Sequence, residues 1–145
     1  MEEDKKKEID VTVIEVTEEY LKEKLYEIRG KRVLLDADLA EIYGYDTKGF
    51  NRQEKNNIEK FDEDFMFELT DEELEDLRYK NCTANISSKS RYNPHVFTEQ
   101  GLYMLMTVLK GPLAVKQSKA LIRTFKKMKD YILENRDLIG QRELL

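Results

Sequence analysis

Lys48, Arg52, Lys55 and Asn56 fall within nine residues, at three- and four-residue steps. On a helix such steps place side chains on one face. Measured around the helix from Phe50, these four lie between about 140° and 240°, at about 100° per residue. Arginine can pair with guanine edges and asparagine with adenine, and lysine commonly meets phosphate. The chemistry open to this set is contact with double-stranded DNA. A solvated helix face would use the same residues, and by itself the pattern favours that plainer account.

A second basic set lies further on. Lys116, Lys119, Arg123, Lys126 and Lys127 occupy one arc of a predicted helix. Ala114, Ser118, Leu121, Phe125, Met128 and Ile132 line the other side. From Lys116 to Lys129 there are six basic residues and no acid, which suits phosphate contact more than an ordinary amphipathic surface does. Lys89 and Arg91 sit in a stretch rich in Ser and Asn. They could act like a wing beside a reading helix, or lie in an ordinary polar loop.

Catalytic chemistry finds little support. Cys82 is the only cysteine and His95 the only histidine. One cysteine makes no internal disulfide and no cysteine-based zinc site. A Cys82–His95 nucleophile pair is conceivable, but both read more simply as ordinary residues around a polar loop. There is no Gly-rich phosphate loop and no metal-ligand spacing, so no enzyme activity, metal or cofactor is expected.

The net charge of −5 argues against DNA only as a sum. Ten acids and one lysine lie between Glu59 and Asp76. Thr47–Lys60 and Arg78–His95 are net basic. The acid is concentrated in one segment, and an acidic chain can still present a basic face. No apolar run approaches the length of a membrane span, and MEEDKKKE lacks the apolar stretch of a signal peptide. A cytoplasmic location is expected.

The elements that must position these residues follow from local signals. Met1–Glu8 reads as a frayed tail, and Ile9–Val16 as strand or helix. LYEI and RVLL flank Arg29-Gly30-Lys31, which predicts a β-hairpin over 25–35. Asp36 begins a helix with Leu39 and Ile42 inward, and Gly44 stops it. Asp46 or Thr47 caps a second helix running to about Phe61, with Phe50, Ile58 and Phe61 inward and Glu54 anomalous among them. Two helices around a glycine turn make a helix-turn-helix pattern. FMFEL, 65–69, predicts a strand with Phe65, Phe67 and Leu69 on one side. Thr70 to Glu73 is a capping box before a short acidic helix with Leu74 and Leu77 inward. His95–Phe97 suggests a brief strand. Thr98 caps a buried helix that Gly111-Pro112 ends, and Pro112 opens a last helix to about Arg136. Tyr43, Tyr45 and Tyr92 read as packing residues.

Three blocks carry a resemblance: YEIRGKRVLLDADLAEIYGYDTKGFNRQEKNNIEKFDEDFMFELTDEEL, RYNPHVFTEQGLYML, and the helix around ALIRTFKKM. In order and spacing the chain resembles the phage ORF-six N-terminal domain, a relative of the KilA-N and Bro-N domains, over about residues 25–129. The family pattern has an apolar residue at Glu54, basic residues at Gly49 and Asn57, and a proline at Asp62. The resemblance implies a DNA-binding module of a phage or prophage transcription regulator, antirepressor-like.

The expected fold is therefore a small α+β domain. It has a β-hairpin, a helix-turn-helix-like pair, short strands and a long C-terminal helix. Residues 1–24 would be a tail or short extra element, 25–111 the core, and 112–145 the amphipathic helix and its tail. Expected partners are double-stranded DNA and a second copy through the C-terminal helix, where Leu138, Ile139, Leu144 and Leu145 extend the apolar face. The alternative is a protein-interaction module whose acidic segment binds a repressor or other basic partner.

Overall fold

The computed structural model describes residues 13–81, 84–86 and 92–135. They form an α+β domain of six α-helices and a four-stranded antiparallel sheet in the order β1-β2-β4-β3. In chain order the elements are α1 (Glu18–Lys24), β1 (Tyr26–Ile28), β2 (Lys31–Leu35), α2 (Asp36–Ile42) and α3 (Thr47–Asn56). There follow β3 (Met66–Glu68), α4 (Asp71–Lys80), β4 (His95–Phe97), α5 (Glu99–Leu105) and α6 (Pro112–Glu134).

The predicted hairpin forms. Arg29 and Gly30 both have positive φ, 56° and 72°, and Ile28 pairs with Lys31. That is the two-residue primed turn whose twist matches paired strands. β4 lies between β2 and β3, with Leu34 opposite Phe97 and Met66 opposite the same Phe97. Strand alternation then sorts the apolar residues. Leu34, Met66 and Phe97 join the larger core with Leu21, Leu39, Ile42, Phe50, Leu102, Leu121 and Phe125. Val33, Leu35, Phe67 and Val96 join a second cluster with Leu77 of α4.

Both sheet faces are thus covered, and this corrects the strand reading of FMFEL. Phe65 packs with Met66 in the first cluster, whereas Phe67 and Leu69 belong to the second. A strand buried on both sides shows an apolar run in place of clean alternation.

Other boundaries differ for identifiable reasons. α1 was not foreseen as a helix: Thr17 caps it by accepting from the Tyr20 N–H, and Leu21 is wholly buried. α2 starts at Asp36, but Leu35 is its N-cap, and Asp36 accepts from the adjacent Ala37 N–H at 2.7 Å. α3 stops at Asn56, because Asn57 leaves helical geometry (φ −125°, ψ 26°), and a 3₁₀ turn covers Ile58–Lys60. That turn rotates Ile58 out of the stripe expected for it, leaving it 51% exposed, while Phe61 stays buried. α5 ends at Leu105, short of Gly111. Gly44 ends α2 with φ 74°. Thr70 and Glu73 form the expected capping box with both bonds present.

α6 is 23 residues long, about 35 Å at 1.5 Å per residue. Ala114, Leu121 and Phe125 are buried as expected. Gln117 is buried too, its amide donating to the carbonyls of Ile14 and Ile42 at 2.8 and 2.9 Å. Ile132, predicted on the buried face, is 51% exposed, because α6 runs past the end of the core.

Candidate nucleic-acid interface

α3 begins where the Asp46 carboxylate accepts from the Gly49 N–H at 2.6 Å, filling a helix-end donor that would otherwise lack a partner. Phe50 then enters the core, edge-on to Phe97 at 5.9 Å and to Tyr45 at 6.3 Å. With Phe50 inward, Lys48, Arg52, Lys55 and Asn56 are all exposed. Among the described residues none of these three cations pairs with a carboxylate within 4 Å, so their charges face solvent.

Glu54 is 2% exposed, although it carries a carboxylate. Its Oε2 lies 2.5 Å from His95 Nδ1. Its partner is thus the histidine that by sequence reads as an ordinary residue around a polar loop. His95 Nε2 faces Glu68 Oε1 at 3.3 Å, and the His95 backbone N–H donates to Asp36 Oδ2 at 3.2 Å. The hydrogen bond to Glu54 lifts the His95 pKa to about 9, against the opposing pull of burial. Burial raises the Asp36 carboxyl above its usual range, and backbone hydrogen bonds from His95 and Ala37 partly offset that. The signal in the sequence was one glutamate in an apolar stripe and one histidine to neutralise it. Their 41-residue separation hid the pairing.

Arg29 is committed elsewhere. It makes two bonds to Glu73, at 2.8 and 2.9 Å, and its guanidinium sits 4.0 Å from the Phe67 ring centroid. The Arg29 hydrogen bond holds the Glu73 pKa down to about 2. Part of the acidic segment is therefore structural. Asp62, Glu63, Asp64, Asp71, Glu72 and Glu75 remain exposed.

On α6, Lys116, Lys119, Arg123, Lys126 and Lys127 are exposed as expected. Lys126 pairs with Asp130 at 2.6 Å, and Lys129 pairs with Glu99. The basic run is thus partly neutralised by acids outside it, leaving Lys116, Lys119, Arg123 and Lys127 unpaired among the described residues. The Tyr43 hydroxyl and Ser118 share a 2.8 Å hydrogen bond, which ties the α2–α3 turn to α6. Lys89 and Arg91, and likewise Leu138, Ile139, Leu144 and Leu145, lie outside the described residues. Tyr43 is buried and Tyr45 half-buried, but Tyr92 is 75% exposed, which corrects its reading as a packing residue.

Among the described residues no group of carboxylates, histidine or cysteine has the geometry of a metal site, and no helix is long and apolar enough to cross a membrane. A family model described as the ORF6N domain matches residues 23–108. No curated protein and no solved structure matches the chain.

Proposed function

Because the chain belongs to the ORF6N domain family, a phage-associated type of domain, we propose that it is a double-stranded DNA-binding module of a phage or prophage regulator, antirepressor-like, that acts by binding and not by catalysis. The observation that carries this reading is α3: a capped helix, seated by Phe50, whose outward face holds Lys48, Arg52, Lys55 and Asn56. In this reading those residues meet the groove. Lys116, Lys119, Arg123 and Lys127 hold phosphates, with Lys126 a weaker contributor because Asp130 already engages it. Lys89 and Arg91 would add contacts from the loop, and α6 would pair two copies across half-sites.

A salt titration of duplex binding tests it. Contact through about five phosphates gives a log K against log salt slope near −4 to −5. Lys127→Ala should shrink that slope by about 1 and weaken all sequences alike, whereas Arg52→Ala should relax sequence preference. Absence of binding at about 50 mM salt sinks the proposal. The second reading, a module that binds a repressor or other basic partner, is favoured by the exposed acids Asp62, Glu63, Asp64, Asp71, Glu72 and Glu75. It predicts that substitutions there, and not on α3, abolish partner binding.

A further inference from the structure

His95 touches both helices of the pair. Its backbone N–H bonds Asp36, the first residue of α2, and its imidazole bonds Glu54 in the last turn of α3. One residue of β4 thus ties the start of one helix to the end of the other. α3 has few other anchors, since only Phe50 and Glu54 are buried along its ten residues. Phe50 seats the first half. Glu54 seats the second, about 6 Å further along the axis. Arg52, Lys55 and Asn56 are all within two residues of Glu54.

We propose that Glu54 and His95 are positioning residues: their ion pair holds the last turn of α3 in the orientation that presents Arg52, Lys55 and Asn56 to the duplex. This rests on the DNA-binding reading above. Apolar contact is non-directional, so a hydrophobe at position 54 would supply burial without a bond of fixed direction. A short charge-assisted hydrogen bond has a required direction and length. The anchor is also titratable. The groups facing the imidazole are Glu54 from α3, Glu68 from β3 and Asp36 from the start of α2, all acidic. These acids favour the imidazolium, and its pKa of about 9 agrees. Once the proton leaves, the buried Glu54 carboxylate loses its counter-charge.

The test compares the full chain with Glu54→Gln, His95→Gln and the double variant. Duplex affinity is read by fluorescence anisotropy at fixed salt from pH 7 to 9.5. Amide exchange is read at 55–57, with Leu102 and Leu105 as controls for the fold. Each single change should weaken binding about tenfold at pH 7, and the double should be no weaker than the weaker single. The wild-type affinity should fall toward the variants as pH rises. The Glu54→Gln profile supplies the baseline for lysine titration. Exchange at 55–57 should quicken while the controls stay protected. Unchanged affinity or unchanged exchange in the single variants overturns the proposal. Should a variant not fold, the wild-type titration decides alone: protection at 55–57, taken against the base-catalysed intrinsic rate at each pH, that does not fall by pH 9.5 overturns it. Should the wild type bind no duplex, exchange again decides: selective loss of protection supports the anchor while the DNA reading falls, and no loss overturns the anchor too.

Discussion

At pH 7 the His95 imidazole carries its proton, because Glu54 lies against it and the folded chain lifts its pKa from 6.5 to about 9. The folded state therefore binds more protons than the unfolded state across that window, and stability falls as pH rises. The contribution is complete below about 6.5 and lost above about 9. At about 1.4 kcal/mol per unit it is on the order of 3 kcal/mol, lowered toward about 2 by partial exposure of the ring. Thermal unfolding should show Tm declining between pH 7 and 9.5, and His95→Gln should flatten that decline. Glu54→Val tests the same pair from the other side. It removes the partner nearest the half-buried imidazole and leaves Glu68, at 3.3 Å, as its remaining side-chain partner, so it should cost about 2–4 kcal/mol in urea unfolding. A more stable Glu54→Val would mean that the position is merely underpacked.

Among the elements, the contact between α5 and the segment entering β3 has the least tolerance. Thr98 caps α5 by accepting from the Gly101 N–H at 3.2 Å, and its hydroxyl also bonds the carbonyls of Asp64 and Phe65. This draws the helix onto the backbone so closely that a methyl at Gly101 would overlap the Phe65 carbonyl. Backbone cannot move aside as a flexible side chain can. Gly101→Ala should cost at least about 2 kcal/mol in chemical denaturation, even though alanine is the better helix former. An unchanged or raised midpoint would refute the close approach. α3 offers the contrast. It is short and amphipathic, and owes its position to a cap and two buried side chains, which makes it the element whose orientation a single ion pair can govern.

For the whole molecule, α6 matters most. Its first four turns lie on the core, and its end carries Tyr131, Ile132 and Leu133 at 67%, 51% and 59% exposure. Ile132 also lines a cavity of about 190 Å³ with Leu25, Phe97, Phe125 and Met128. Exposed apolar groups clustered at one place mark contact surfaces on soluble proteins. If α6 pairs two copies as proposed, sedimentation should show a concentration-dependent dimer. Ile132→Glu should return it to monomer with the monomer's Tm intact. A wild type that stays monomeric at high concentration would remove the dimer from the proposed function.

Local chemistry made much of this molecule legible in advance. Arg29-Gly30 marked the hairpin, Thr70 with Glu73 marked the start of α4, Gly44 and Asp46 framed the turn between the paired helices, and Pro112 opened α6. Each of these signals acts within a few residues, so sequence contains it whole. The outward face of α3 was legible as well, since helical spacing alone places Lys48, Arg52, Lys55 and Asn56 together. Four other features were decided only by tertiary structure. They are the covering of both sheet faces, the exposure of Ile58, the neutralisation of Lys129 by Glu99, and the partner of Glu54. The reason is physical. A buried charge requires a counter-charge, but the requirement does not say which one. His95, 41 residues away, meets it only because β4 inserts between β2 and β3, and so lies beside the end of α3.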